Sequence, residues 1–214
     1  MKTQDMVALL AAGVEPVDRR ALGRRFGWAL LAGGGGALIL MLLSVGLRPD
    51  LDAVLAQPIF WAKMAFPLLL AAAALPAAAR LSRPGVPVRG RGWATLAAPV
   101  LIVWAAAAVV LLAAPDGERL RLLMGSTWRR CPLVIAFLSV PGFLAVMWAI
   151  RGLATTRPRL AGAIGGLLAG AVATVAYCLH CPEMEVPFWA VWYLLGMLLP
   201  AGLGALLGPR LLRW

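Results

Sequence analysis

The sequence is poor in charge and in the residues that carry most enzyme chemistry. Only 14% of its 214 residues are charged, whereas 62% are hydrophobic, and it contains one histidine and three cysteines. A soluble domain of this size is about half apolar and about a quarter charged. Because so much apolar surface cannot be hidden from water in a core of this size, the composition indicates an integral membrane protein.

Several motifs are also missing. With one histidine the chain has no Ser-His-Asp or Cys-His-Asp set, and it has no Walker-type loop; Gly33–Gly36 instead predicts a close-packing or kink site. Three cysteines are too few for a disulfide framework, and the first 26 residues lack the apolar region of a signal peptide. We therefore expect a protein that is not an enzyme and has no cofactor.

Six apolar runs, each near the roughly 20 residues needed to cross a bilayer, follow a more polar N-terminal segment. They predict spans at about 27–46, 59–79, 94–114, 132–150, 160–180 and 187–207. The expected fold is all-α, an integral membrane six-helix bundle with a short cytosolic N-terminal helix. The chain then divides into a cytosolic segment 1–26 and a six-span transmembrane domain 27–214.

Basic residues predict the orientation of the spans. If both termini are cytoplasmic, the cytoplasmic segments carry fourteen Lys and Arg residues and the outer loops carry five. The outer five are Arg48, Arg119, Arg121, Arg129 and Arg130. The positive-inside rule therefore favours a cytoplasmic N-terminus. This topology also explains the net charge of +11. The arginines flank apolar runs and form no separate basic domain that would indicate nucleic-acid binding.

Two of the cysteines and the only histidine stand together in Cys178-Leu-His-Cys181, at the outer end of the fifth predicted span. Cys131 opens the fourth span from the same side, which is oxidising in a Gram-negative bacterium. Cys131, Cys178, His180 and Cys181 include enough soft ligands for a metal such as cadmium. A Cys131–Cys181 disulfide is equally open and needs Cα atoms within ~7 Å.

The same cysteines have a structural interpretation. At about 100° per residue, Cys178 and Cys181 share a helix sector with Gly170 and Thr174. Small residues on one face let a second helix approach closely, so both cysteines could simply be small buried packing residues.

Lys63 is the one charged residue inside a predicted span, ~6 Å by helix rise from its outer end. Its amine either reaches the interface or pairs with an outer carboxylate such as Glu183 or Asp50. The sequence does not choose between these two arrangements.

The N-terminal segment contains a short amphipathic pattern. Asp5 suits the first turn of a helix, and Met6, Leu9 and Leu10 fall on one face at helical spacing. Such a helix either rests on the lipid surface or docks its apolar face on a cytosolic partner.

Motifs spread along nearly the whole chain match one family. They are Leu47-Arg-Pro-Asp-Leu51, Phe60-Trp-Ala-Lys-Met-Ala-Phe66, Ser126-Thr-Trp-Arg-Arg-Cys131, Ala176-Tyr-Cys-Leu-His-Cys-Pro-Glu183 and Trp189-Ala-Val-Trp-Tyr193. With them the chain resembles the NrsF-type (negative regulator of sigma F) membrane anti-sigma factors of proteobacteria. The His-Cys-Pro-Glu and Trp-x-x-Cys pieces are the most specific parts of this resemblance.

The resemblance implies a multi-pass protein of the bacterial inner membrane that holds an extracytoplasmic-function sigma factor inactive. The expected partners are that sigma factor, contacted by Met6, Leu9 and Leu10, and the lipid bilayer, without direct contact to nucleic acid. Periplasmic-side cysteines would release the sigma factor on sensing heavy metal or oxidant. Cys131 and Cys181 form the implied pair, because family members usually have a small apolar residue in place of Cys178.

Two other functions remain open from the residues alone. A membrane thiol oxidoreductase would use the thiols to relay electrons, but such enzymes usually need two cysteine pairs. A transporter would carry polar groups at mid-membrane, whereas Lys63 lies close to one edge. The sequence does not identify the sigma factor, the inducer or the oligomeric state.

Overall fold

The computed structural model describes the backbone of residues 3–12 and 20–213. In the first range it describes side chains only for residues 3–7. Within them the chain forms ten α-helices and no strand. In chain order the helices are α1 (Thr3–Ala12), α2 (Ala21–Ser44), α3 (Leu51–Leu55), α4 (Pro58–Leu81), α5 (Gly90–Ala113), α6 (Asp116–Met124), α7 (Cys131–Leu138), α8 (Val140–Arg151), α9 (Pro158–Cys178) and α10 (Val186–Leu211).

The predicted all-α membrane bundle is confirmed. Helices α2, α4, α5, α9 and α10 are each long and apolar enough to cross a membrane. Helices α7 and α8 are long and apolar enough only when taken together, and they are bent by 45° relative to each other, so the bundle has five or six spans. The bend falls at Ser139, where the hydroxyl donates to the Ala136 carbonyl and Pro141 follows two residues later. Proline lacks the amide that would continue the helical ladder, which explains a bend at this place.

The first long helix begins before the first predicted apolar run. Helix α2 begins at Ala21 and includes Arg24 and Arg25, which lie in the predicted cytosolic segment. Hydropathy marks only the apolar part of a helix, whereas backbone hydrogen bonding continues into the polar interface. The helix therefore extends physically from the predicted cytosolic segment into the bundle.

Helix α9 forms the centre of the bundle, because 72% of its most apolar stretch is buried. Its glycines face α10 so closely that added Cβ atoms at Gly162 and Gly166 would overlap the carbonyl oxygens of Gly204 and Pro200. Glycine faces of this kind allow two membrane helices to pack backbone against backbone. The small-residue pattern predicted for the fifth span thus marks its contact with α10.

Helix α2 packs against the bent span at its bend. A Cβ added at Gly33 would lie 2.7 Å from the Gly142 Cα, and one at Gly36 would lie 2.6 Å from the Pro141 Cβ. Gly33–Gly36 is thus a close-packing site, as one of the two predicted alternatives stated. Any change in the bend between α7 and α8 must displace α2 or open this contact.

The bundle has two ends with different connections between the helices. The thiol end contains the connections Val45–Gln57, Ala114–Arg130 and Leu179–Glu185, which contact one another through hydrogen bonds. The arginine end contains the connections Ser82–Arg89 and Gly152–Arg157, where the Thr155 hydroxyl donates to the Leu81 carbonyl over 2.7 Å. Cys131 and Cys181 belong to the first end, and the N-terminus of α2 belongs to the second.

Candidate functional site

The three cysteines form one buried cluster at the thiol end. Cys131 begins α7, Cys178 ends α9, and Cys181 lies three residues beyond. Each is a free thiol with no exposed surface. Cys131 lies close enough to both Cys178 and Cys181 to interact with them electrostatically. The structure therefore brings together the pair that the family resemblance implied, on two neighbouring spans.

Two tyrosines border this cluster. The Tyr177 hydroxyl lies beside Cys131 and Cys181, and the Tyr193 hydroxyl lies beside Cys178 and Cys181. The Tyr193 ring is fully buried, and within the described part of the chain its hydroxyl finds no partner of acceptable hydrogen-bond geometry.

Lys63 occupies neither of the positions that the sequence offered. Its side chain is fully buried and does not reach the interface. Nζ donates to the carbonyls of Cys181 and Glu183, over 2.7 and 2.8 Å, and lies 5.7 Å from the centre of the Tyr193 ring. Both predicted arrangements were thus wrong, because the non-helical backbone after Cys178 presents carbonyl oxygens directly above the lysine.

Arg48 binds the same segment from the other side. The residue is 8% exposed, and its guanidinium donates to the Cys181 carbonyl over 3.3 Å and forms two 2.8 Å contacts with the Asp50 carboxylate. Its backbone amide donates to the Leu179 carbonyl. The hydrogen bonds from Arg48 lower the pKa of the exposed Asp50 carboxyl. The Cys181 carbonyl therefore accepts from two basic side chains, Lys63 on α4 and Arg48 in the connection after α2.

His180 contacts the connection that follows α2. Its Nδ1 lies 3.0 Å from the Gly46 carbonyl, just beyond the end of α2. Over residues 3–12 and 20–213 the structure contains no group of three or more His, Cys, Asp or Glu side chains arranged to hold a metal ion. The four-residue set Cys131, Cys178, His180 and Cys181 stays a prediction.

Glu183 joins the segment after Cys181 to the connection before Cys131. Its carboxylate accepts from the Ser126 amide and hydroxyl over 2.7 and 2.6 Å, and lies 3.4 Å from the Thr127 hydroxyl. Gly125 has a positive φ of 54°, and a Cβ there would lie 2.7 Å from both the Glu183 carboxylate and the Phe188 ring. Glycine is thus required at this position for the contact to form.

The described part of the N-terminal segment agrees with the predicted helix. Residues Thr3–Ala12 form α1 with Asp5 in its first turn, and Met6 is half exposed. The side chains of Leu9 and Leu10, the other two predicted contact residues, lie outside the described part of the structure.

Sequence reasoning missed Arg48 and Ser126 as members of this site, although both stand in the motifs quoted above. One signal could have found Arg48. It is one of only five basic residues on the predicted outer side, and it is the only one of them between the first two spans.

Fold and site together define an α-helical, multi-pass membrane protein with a buried thiol cluster at one end. The family model described as "Negative regulator of sigma F" matches residues 10–214. The chain is 51% identical to a probable anti-sigma-F factor NrsF of Azospira oryzae and 42% identical to the anti-sigma-F factor NrsF of Caulobacter vibrioides, over 100% of each chain. The chain therefore belongs to the NrsF family. No solved structure matches it.

Proposed function

We propose that the protein is an anti-sigma factor of the bacterial inner membrane, acting by binding rather than by catalysis. The observation that carries this proposal is the full-length identity of 51% to a probable anti-sigma-F factor. Its partner is a sigma factor of the extracytoplasmic-function class, which the protein holds at the membrane. Both termini are cytoplasmic, in keeping with the excess of basic residues on that side.

Sequestration is assigned to the cytosolic segment 1–26, with Met6, Leu9 and Leu10 as the apolar contact. The exposure of Met6 on α1 supports this assignment, because an apolar side chain left open to water is available to a partner. Leu9→Asp would place a charge in that contact and should free the sigma factor without affecting membrane insertion.

Release is assigned to Cys131 and Cys181, with Cys178 and His180 as additional ligands or modulators. The proximity of Cys131 to Cys181 supports either metal binding or disulfide formation. In the oxidative case, two thiols give up two protons and two electrons, and hydrogen peroxide accepts them to form two molecules of water. Because all three thiols are buried, the thiol end must open before a metal or oxidant can reach them.

The segment between Leu179 and Met184 offers a route from the thiols to the N-terminus. Arg48 and Gly46 contact this segment, and both follow directly after α2, whose other end leads back to the sigma-binding segment. A disulfide or a metal at Cys181 would move the Cys181 carbonyl and disturb the contacts with Lys63 and Arg48. Such a signal shifts the equilibrium only by its differential energy in the two arrangements.

Sigma-dependent transcription in intact cells tests this function. The parent chain should repress, and cadmium, chromate or peroxide should relieve repression. Cys131→Ser and Cys181→Ser, singly and together, should repress normally but respond weakly or not at all. Cys178→Ser serves as the matched control and should retain most of the response. If both single variants respond like the parent, the thiols are packing residues and the sensing part of the proposal fails.

A further inference from the structure

The arginine end contains an open cavity between α4 and α5 that none of the features above requires. It has a volume of about 580 Å³, within the 300–1,000 Å³ that is typical of ligand pockets. Three arginines line it, namely Arg80 at the end of α4 and Arg89 and Arg91 at the start of α5. Each of these side chains is exposed.

Among residues 3–12 and 20–213, no carboxylate forms an ion pair with these three guanidinium groups. The ion pairs that Arg48, Arg119 and Arg121 form with nearby carboxylates all lie at the thiol end. Asp and Glu residues are absent from the whole stretch between residues 53 and 115, which includes α4, α5 and their connection. Three neighbouring positive charges without a carboxylate raise the local potential and favour an anion in the cavity.

The cavity continues into an apolar groove along the same two helices. The groove has a volume of about 430 Å³ and shares Ala73, Pro76 and Thr95 with the basic cavity. The groove exists because α4 and α5 face each other with small residues and prolines along it. At its far end lie two large exposed side chains, Leu69 and Ile102. In a membrane-spanning bundle, this exposed groove faces the acyl chains of the bilayer.

We propose that this composite surface binds one anionic glycerophospholipid. Its phosphate lies among Arg80, Arg89 and Arg91, and one acyl chain lies in the groove between α4 and α5. A lipid matches both parts at once. Its negatively charged head group fits the basic cavity, and the acyl chain attached to it fits the adjoining apolar groove. A soluble phosphate matches only the cavity, and an acidic protein leaves the groove unfilled.

The site has a structural consequence. Helix α5 is the least buried of the five long spans, because only 22% of its most apolar stretch is buried. A lipid held by arginines on both α4 and α5 joins this peripheral helix to the bundle. Anionic lipid should therefore stabilise the protein more than zwitterionic lipid does.

Native mass spectrometry and thermal unfolding of the full chain in neutral detergent test the proposal. The probes are dioleoyl phosphatidylglycerol, dioleoyl phosphatidylcholine and glycerol phosphate. We expect one retained phosphatidylglycerol and a rise in melting temperature that the other two probes do not produce. The triple variant R80Q/R89Q/R91Q should bind phosphatidylglycerol on the order of 100-fold more weakly, at roughly fivefold for each arginine.

A matched variant separates a site from general charge attraction. R157Q/R159Q/R210Q removes the same charge from the same end, at positions that do not line the cavity. It should keep the retained lipid, and equal loss in the two triple variants overturns the proposal. Ala98→Phe fills the groove without changing charge and should also weaken phosphatidylglycerol binding.

Two further outcomes would overturn the proposal. Glycerol phosphate binding as tightly as phosphatidylglycerol means that the groove holds no acyl chain. If R80Q/R89Q/R91Q keeps its lipid but loses a soluble protein partner, the arginines form a protein-docking surface.

Discussion

The two ends of the bundle treat their basic side chains in opposite ways. At the thiol end, Lys63 and Arg48 are buried, and both donate to the Cys181 carbonyl. At the arginine end, Arg80, Arg89 and Arg91 are exposed and line an open cavity. Buried polar groups in low dielectric hold one arrangement firmly, because each broken hydrogen bond leaves a costly unpaired group. Exposed charges instead exchange partners at little cost.

This difference suggests a division of tasks. The thiol end has the firm, discrete arrangement that a switch needs, because a chemical event at one residue disturbs several bonds together. The arginine end has the open electrostatic surface that suits reversible binding of a negatively charged ligand. Four predictions test how much the contacts of the thiol end, and those that link it to α2, contribute to stability. They run from the largest expected effect to the smallest.

Lys63→Met should destabilise the protein by about 2–3 kcal/mol, because it removes two hydrogen bonds from a basic group to buried carbonyls. Thermal unfolding in detergent measures the change. The control is Arg130→Met, an exposed basic residue at the same end, with an expected effect within about 0.5 kcal/mol. Equal shifts in the two variants would show that burial of Lys63 contributes nothing to the firmness of this end.

Gly125→Ala should destabilise by about 1–3 kcal/mol and separate Glu183 from Ser126. An alanine at this position would have to keep the positive φ that glycine adopts here. Its Cβ would also lie against the Glu183 carboxylate. Gly117→Ala is the matched control, because a Cβ there meets nothing within 4 Å in helix α6. It should be neutral or stabilising by up to about 1 kcal/mol. A Gly125→Ala protein as stable as the parent would contradict the assigned contact.

Gly33→Ala should separate α2 from the bend at Pro141 and cost about 1–2 kcal/mol, since its Cβ would lie 2.7 Å from the Gly142 backbone. Gly35→Ala, two residues further along α2, meets nothing within 4 Å and should cost little. Sigma-dependent transcription should rise in the first variant alone if α2 transmits the signal. Unchanged repression in a destabilised Gly33→Ala protein would argue against α2 as the transmitting helix.

The smallest effect is expected from acid titration of Asp50. Because Arg48 lowers the pKa of Asp50 in the folded protein, this carboxylate contributes stability above its unfolded pKa of about 3.9. That contribution is lost as the pH falls through the lower folded pKa. Melting temperatures of the parent and of Asp50→Asn should therefore differ at neutral pH and converge in strong acid. A difference that stays constant down to the lowest pH would contradict the pairing.

Much of the fold could be predicted from the sequence, and the spans show why. Hydropathy alone located six apolar runs, of which five correspond to single long helices and the sixth to the bent pair α7 and α8. The small residues at Gly33–Gly36 and around Gly170 also indicated close helix contacts, which the tight approaches at these glycines confirm. Helix α2 begins before the predicted apolar run at residue 27, since a helix can extend beyond its apolar residues.

The candidate site could be predicted only in part. The clustering of Cys178, His180 and Cys181 in the sequence, and the topology that brings Cys131 to the same side, indicated the thiols. The partners of Lys63 could not be predicted, because its acceptors are backbone carbonyls, which every residue carries. Sequence reasoning considered only the interface or a side-chain carboxylate such as Glu183 or Asp50, and the structure shows carbonyl acceptors instead.

The sequence by itself determined that this chain is helical and lies in a membrane, and its motifs indicated the NrsF family. These properties follow from local composition and from hydrogen bonds between residues four apart in one helix. Only the tertiary structure decided that Arg48 and Cys181, 133 residues apart, share a hydrogen bond, and that His180 turns toward Gly46. Such contacts depend on how separate helices pack, and packing is set by the fit of many side chains at once.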